Sequence, residues 1–333
     1  MKIAVIGYGY WGPNLVRNFS QVDGVEVAGI CDSSDKALAK ARKNYPSAPA
    51  DRDYRTFTRA ADVDAMAIST PVFTHYEIAK DALENGKHIF VEKPFTFTAS
   101  QAEELIELAE RKGLTIMVDH TFLFTGAVRK IKELLDSGLL GQLYYYDSTR
   151  VNLGLFQHDV NVIWDLAPHD FSILDYLIGE RPESLTASAT DHFGSGLADI
   201  AYVTVNFPNN FIAHFNVNWL SPVKVRQTLI GGDRKMLIWN DISKDEKIKI
   251  YDKGVDVESR EGIYDLLISY RSGDMHSPNV EDREALRLEA EYFAECVRNG
   301  ARPFNDGESG LRVVRMLEAC SQALKSKEKN IKI

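Results

Sequence analysis

Gly7-Tyr8-Gly9-Tyr10-Trp11-Gly12 follows the apolar run Ile3-Ala4-Val5-Ile6 without a break, and this junction decides how the rest of the chain is read. A complete G-x-G-x-x-G directly after a strand predicts a strand, a tight turn and a helix. Gly7 permits the turn, Gly9 lets a pyrophosphate approach the backbone, and Gly12 allows the helix to pack closely on the strand. Pro13 sits where the first turn of a helix tolerates proline, and Val25 to Asp32 reads as a second strand ending in a carboxylate. The helix N-terminus offers free N–H groups and partial positive charge to phosphate. Asp32 is placed to accept from ribose hydroxyls and to repel a 2′-phosphate, which favours NAD over NADP. Ser33, Ser34 and Lys36 would accommodate that phosphate only if Asp32 turned away. Tyr10, Trp11 and Ser33 complete the cofactor-binding set expected around this loop.

Outward from the loop, residues 2 to 120 alternate short β-branched runs with helix-length stretches. The strands expected are Ile3 to Ile6, Val25 to Asp32, Ala65 to Ser69, His88 to Val91 and Thr115 to Val118. Helices are expected over Ala37 to Tyr45, His75 to Asn85 and Ala99 to Lys112, the last two closing in Asn85-Gly86 and Lys112-Gly113. This is the pattern of βαβ units and predicts a doubly wound parallel α/β sheet, a Rossmann domain. After a helix near Gly126 to Ser137 the period changes. Strand-like runs at Leu143 to Val151, Ser184 to Thr190, Ile200 to Asn206, Phe211 to Trp219, Val225 to Gly231, Lys235 to Asn240 and Lys247 to Tyr251 are joined by short turn clusters. They predict an α+β domain with a large, open, mostly antiparallel sheet. One helix interrupts it near Leu166 to Ile178, two close the chain near Arg283 to Asn299 and Glu308 to Lys325, and the charged tail from Lys325 to Lys332 reads as a solvated helix end. The division expected is residues 1–122 for the dinucleotide-binding domain and 123–333 for substrate binding and oligomerisation.

With Lys+Arg 39 against Asp+Glu 48, a formal charge of −9, the chain lacks the basic surplus that broad binding to a nucleic-acid backbone requires. Cys31, Cys296 and Cys320 are far apart and form neither a disulfide framework nor a metal spacing, so a reducing cytoplasm is the expected compartment. No apolar stretch approaches the ~20 residues of a membrane helix. The eight histidines include no H-E-x-x-H spacing, and no catalytic metal is expected.

Ligands in open α/β sheets bind beyond the carboxyl ends of the strands. Three such ends carry chemistry here: Thr70-Pro71 with Thr74-His75, Glu92-Lys93-Pro94, and Asp119-His120-Thr121. Lys93, directly after the apolar run Ile89-Phe90-Val91, would polarise a substrate oxygen or hold an alkoxide; a surface lysine paired with Glu92 is the plainer alternative. In the second half, Asp165-Leu166-Ala167-Pro168-His169 puts a carboxylate and an imidazole four residues apart, on one helical face. His169 beside Asp165 suits a general base near neutral pH. Alternatively, Asp165 is only the helix N-cap, with Pro168 harmless in the first turn. Tyr144-Tyr145-Tyr146 and Trp219 lie on expected strands and read as core or interface.

These markers taken together, Gly7 to Gly12, Thr70-Pro71 with Thr74-His75, Gly86 to Pro94 and Asp165-x-x-x-His169, resemble the glucose-fructose oxidoreductase, inositol dehydrogenase and MocA family of NAD(P)-dependent oxidoreductases over essentially the whole chain. The resemblance implies that Lys93 binds the reacting hydroxyl or carbonyl, that His169 is the general acid/base with Asp165 beside it, and that Thr70, Pro71 and Glu92 lie near the nicotinamide. It also implies a cis Lys93–Pro94 peptide and a homodimer or homotetramer built through the open sheet. Asn161-Val162-Ile163-Trp164 replaces the glycine-rich stretch many members carry before this aspartate. That version looks like the branch acting on nucleotide-linked amino sugars, such as UDP-N-acetylglucosamine at position 3. Arg150, Asn152, Gln157, Asp159 and Asn161 would then hydrogen-bond the sugar or diphosphate, with an ordinary polar loop as the equal alternative; His75, His120 and His158 would line the cleft. Deoxysugar ketoreductases, inositol or free-sugar dehydrogenases and a non-catalytic NAD-binding sensor remain the competing readings.

Overall fold

The apolar run before the glycine loop is strand β1 (Lys2–Ile6), buried from its second residue onward. In the computed structural model, which describes residues 1–154, 157–252, 254–257, 268–271, 273–326 and 330–333, β1 leads through the loop into α1 (Gly12–Phe19). There follow β2 (Glu26–Cys31), α2 (Asp35–Asn44), β3 (Ala50–Asp51), α3 (Arg55–Thr58), β4 (Ala65–Ile68), α4 (Val72–Glu84), β5 (His88–Glu92), α5 (Ala99–Lys112) and β6 (Ile116–Asp119). The strands form a parallel sheet in the order β3-β2-β1-β4-β5-β6. Between β1 and β4 the order reverses, the position at which open α/β sheets bind ligands at their carboxyl edge. The two-residue β3 carries too little apolar signal to be foreseen. Helix ends follow local chemistry: Thr98 and Gln101 form a reciprocal capping box at the start of α5, and Gly113 ends it with φ +65°.

The second pattern is equally regular. After α6 (Gly126–Asp136) come β7 (Leu143–Leu153), α7 (Val162–Ile178), β8 (Ser184–Thr190), β9 (Ile200–Asn206), β10 (Ile212–Asn218), β11 (Leu220–Gly232), β12 (Met236–Asn240) and β13 (Ile248–Tyr251). The hairpin β14 (Gly254–Val257) and β15 (Ile268–Arg271) forms a separate two-stranded sheet, and β16 (Met275–His276) pairs with β13. The chain closes with α8 (Ala285–Asn299), α9 (Gly307–Lys325) and β17 (Ile331–Lys332). The nine-stranded sheet runs β16-β13-β12-β11-β7-β10-β9-β8-β17, and its pairs are antiparallel except β10 with β7. Alternation sets its faces: Ala201, Val203 and Val205 of β9 and Ala213, Phe215 and Val217 of β10 are buried, while Tyr202 and Ile212 are exposed. Of the three consecutive tyrosines, Tyr146 is fully buried and Tyr144 is exposed. The tail, read as a solvated helix end, instead adds an edge strand in which Ile331 pairs with Leu185 and is buried; residues 327–329 lie outside the described set.

The chain divides into two compact units, Met1–Phe124 with Arg283–Glu318, and Thr125–Asp282 with Ala319–Ile333. A single cut near residue 122 misses the return of residues 283–318 to the parallel unit. The reason is apolar burial at long sequence separation. Phe293 of α8 packs edge-on against Phe19 and Phe90, with centroids 6.1 and 5.6 Å away, and Leu311 and Val314 of α9 join the core around Ile89, Val91 and Val118. Asn305 covers the open edge of β6, its carbonyl accepting from Val118 N–H at 2.9 Å and its amide donating to Val118 O at 2.8 Å. The three cysteines are buried and unpaired, and no helix among the described residues is long and apolar enough to cross a membrane. Phe293→Ala should cost about 3–5 kcal/mol through the cavity it leaves. Urea unfolding curves will read this as a lower midpoint, with Phe293→Leu in between.

Candidate active site

The glycine loop separates what the polypeptide needs from what a ligand needs. Gly7 has φ +94°, and a Cβ there would lie 2.7 Å from Ser69 O; a Cβ at Gly12 would lie 2.0 Å from Gly7 O. Both glycines are demanded by the chain's own packing. A Cβ at Gly9 would meet nothing within 4 Å, so the protein itself does not require glycine there. The space beside Gly9 suits a pyrophosphate brought against the backbone. The start of α1 has no side-chain cap, which leaves its N–H groups available to that anion. Asp32 is held at the end of β2, its Oδ2 accepting from Tyr8 N–H at 2.6 Å and its Oδ1 from Ser34 N–H at 2.8 Å. The loop and its carboxylate therefore fit a dinucleotide. Tyr10 is 84% exposed, Ser33 is exposed, and Ser34 caps α2. Trp11, expected at the cofactor, donates its indole N–H to Asp119 Oδ2 at 3.0 Å.

Three strand ends stand beside the loop. After β4, Thr74 Oγ1 donates within the turn that opens α4, lying 2.7 Å from Thr70 Oγ1 and 2.8 Å from Pro71 O. His75 is buried, with Nε2 2.7 Å from Thr70 O and Nδ1 3.0 Å from Pro94 O. Its ring ties two loops together and is not presented to a ligand. Burial lowers its pKa, against the pull of the two carbonyls. The Lys93–Pro94 peptide is cis.

Glu92 is turned back on the chain, accepting from Lys93 N–H at 2.9 Å, and lies beside Asp119 in the parallel register. Thr121 Oγ1 donates to Asp119 Oδ1 at 2.5 Å. Glu289 of α8 accepts from His120 N–H at 3.1 Å and from Asn305 Nδ2 at 3.0 Å. Burial, then the neighbouring Asp119, holds both Glu92 and Glu289 well above the usual carboxylate range, which favours their neutral, donating forms. His120 is buried with no partner for either ring nitrogen among the described residues, and burial pulls its pKa down to about 4.

In the second unit, α7 begins three residues before Asp165. Asn161 is its N-cap, its Oδ1 accepting from Ile163 N–H and Trp164 N–H, both at 3.1 Å. This gives Asn161 a structural task and removes Asp165 from the capping position. Pro168 lies inside the helix, not in its first turn. Asp165 and His169, four residues apart, share a helical face, and Asp165 Oδ2 accepts from the indole of Trp219 at 2.9 Å. Trp219 is thus a core residue with a polar task.

Arg150, expected to meet substrate, is buried and engages Asp170, with Nε 2.6 Å from Oδ2 and Nη2 3.1 Å from Oδ1; Ser148 Oγ adds a third bond at 3.0 Å. The pair pins α7 to β7 one residue beyond His169. Asn152 is half-buried at the end of β7, while Gln157, His158 and Asp159 are exposed. Sequence reasoning placed Asp119 at a chemistry-bearing strand end but missed the other partners that set these groups: Glu289, Asn305 and Asp170. Each lies on another element, up to 169 residues away in the case of His120 and Glu289.

A parallel sheet in this strand order with a glycine loop, an acidic residue ending β2 and a cation after β5 defines a dinucleotide-dependent oxidoreductase architecture. The chain matches the Gfo/Idh/MocA oxidoreductase family, NAD-binding Rossmann fold, over residues 1–120, and the Gfo/Idh/MocA C-terminal domain over residues 128–238. It belongs to the Gfo/Idh/MocA family and is an NAD(P)-dependent oxidoreductase. Among its relatives, UDP-N-acetylglucosamine 3-dehydrogenase of Acidithiobacillus ferrooxidans is 26% identical over 332 residues, covering 94% of each chain. The NAD(+)-dependent scyllo-inositol 2-dehydrogenase of Bacillus subtilis is 25% identical over 321 residues, 91% of this chain and 88% of its own. The solved structure of the Acidithiobacillus enzyme superposes with a TM-score of 0.82 at 23% identity, covering 98% of both chains.

Two outcomes follow from this geometry. Gly9→Ala should weaken NAD binding at least about tenfold at an unchanged melting temperature, whereas Gly12→Ala should lower the melting temperature itself; fluorescence titration and calorimetry separate the two. The raised pKa of Glu289 makes its contribution to stability complete below its ordinary value near 4.5 and progressively lost as pH rises through the folded-state value. Glu289→Gln should therefore flatten the fall in urea midpoint measured from pH 5 to pH 9.

Proposed function

We propose that the protein transfers hydride between a secondary carbinol of a nucleotide-linked amino sugar and nicotinamide, most directly at position 3 of UDP-N-acetylglucosamine. The observation that carries this reading is the end-to-end similarity to the Acidithiobacillus 3-dehydrogenase, which covers 94% of each chain and spans both units. Bound nicotinamide supplies the hydride acceptor. The chain's own residues do the rest. His169, on the helix face it shares with Asp165, takes the hydroxyl proton, and Lys93 stabilises the negative charge developing on oxygen. Asp165, fixed by Trp219, keeps a carboxylate near the imidazolium as it forms. Asn152, Gln157 and Asp159 supply hydrogen bonds to the sugar. The same groups run the reverse reduction. Asp32, with both oxygens directed by backbone N–H groups, supports NAD over NADP.

We also infer that copies of the chain associate through the outer face of the nine-stranded sheet, where Tyr202 and Ile212 are exposed, to give a dimer or tetramer. Incubation with NAD and a panel of UDP-sugars, free sugars and inositols should produce NADH absorbance with UDP-N-acetylglucosamine. Turnover of scyllo-inositol alone would replace the substrate assignment, and silence in both directions with tight NAD binding would indicate a sensor. Lys93→Ala and His169→Ala should each lower kcat by at least about a hundredfold while leaving the Kd for NAD within about twofold; an undiminished rate removes that residue from the mechanism.

A further inference from the structure

The loop joining β8 to β9, residues 191–199, is built more tightly than a connection requires. Asp191 gathers its tip, Oδ1 accepting from Phe193 N–H at 3.1 Å and Oδ2 from Gly196 N–H at 2.7 Å. Asp199, whose side chain is only 2% exposed, spends both oxygens on one residue. Its Oδ2 accepts from His192 N–H at 2.8 Å, and its Oδ1 lies 2.7 Å from His192 Nδ1. A carboxylate is an acceptor only, so Nδ1 carries the proton in the neutral ring and Nε2 carries a lone pair. The ring is 47% exposed, and no described residue bonds Nε2. Burying a carboxylate costs more than an exposed ion pair returns, so aiming a surface histidine is a poor use of one for stability alone.

The position of the loop supplies the reason. Trp219 N–H donates to Asp199 O at 3.0 Å, and the indole of the same tryptophan donates to Asp165. One residue earlier, Ala198 O accepts from Val162 N–H at 2.9 Å, at the first residue of α7. The backbone of the residue that orients His192 is thus joined through Trp219 to the carboxylate on the helix bearing His169. We propose that His192 is a further substrate-contacting residue, its Nε2 accepting a hydrogen bond from a hydroxyl or amide N–H of the bound sugar. This rests on the reading that Asp165 and His169 face the substrate. An acceptor nitrogen selects a hydrogen-bond donor, which a sugar hydroxyl or an acetamido group provides and an ionised phosphate does not.

The test is steady-state kinetics of the full chain with UDP-N-acetylglucosamine, or with whichever sugar the panel shows to be turned over. His192→Ala should raise KM about fivefold to tenfold, the loss of one hydrogen bond, with kcat and the Kd for NAD held within about twofold. His192→Gln, whose amide oxygen reaches the place of Nε2, should restore most of the affinity. Asp199→Asn reverses which ring nitrogen carries the proton and should raise KM like the alanine variant. An unchanged KM in His192→Ala overturns the proposal, as does an equal fall in melting temperature for the alanine and glutamine variants. A His169→Ala enzyme with full turnover overturns the reading of the site and this inference with it, whereas loss of turnover in His169→Ala with a normal KM in His192→Ala overturns the inference alone.

Discussion

Asp119 takes the indole N–H of Trp11 on one oxygen and the hydroxyl of Thr121 on the other, and the cofactor-binding unit is organised around that carboxylate. Trp11 belongs to the glycine loop, Glu92 lies alongside in the strand register, and Glu289 reaches the same place from α8. Three carboxyl groups in a buried space cannot all ionise without severe repulsion. The fold resolves this by holding Glu92 and Glu289 toward their neutral forms, through burial and then the neighbouring Asp119. The glycine loop, the strand end that carries Lys93 and the returning C-terminal helix are thereby tied at one point. His120 sits against this cluster as a neutral ring whose nitrogens have no hydrogen-bond partner among the described residues.

The second unit applies similar economy to α7. Asp165 is held by the indole of Trp219, between β10 and β11, and Asp170 by a buried guanidinium from β7. The two bonds fall on either side of His169. A helix pinned at both places holds its rotation, and with it the direction in which His169 is carried. Removing Arg150 alone would leave Asp170 as an uncompensated buried charge, which is why such pairs act as fixtures even where their net contribution to stability is small.

Local chemistry was well written in the chain. The glycine loop, the carboxylate ending β2, the parallel strands with their helices and the change to antiparallel hairpins after Gln142 are each specified by residues within a few positions of one another. The misreadings share a cause. Arg150 and Asn161 look like ligand contacts because a polar side chain in isolation advertises only its capacity to bond. His75 looks like a cleft residue because nothing in its neighbourhood reveals that the carbonyl of Pro94, 19 residues on, meets its ring. Residues 283–318 look like part of the second domain because chain order is silent about Phe293 against Phe19 and Phe90.

By itself, then, the sequence determined the dinucleotide-binding loop, the kind of cofactor it accepts and the two sheet architectures. These depend on backbone conformation and periodicity, which short spans of chain dictate. Only the tertiary structure decided which polar residues are spent inside the protein and which remain for a ligand. Hydrogen-bond pairing and desolvation are settled between elements far apart in the chain. That is why Asp119 became a junction and Arg150 a fixture.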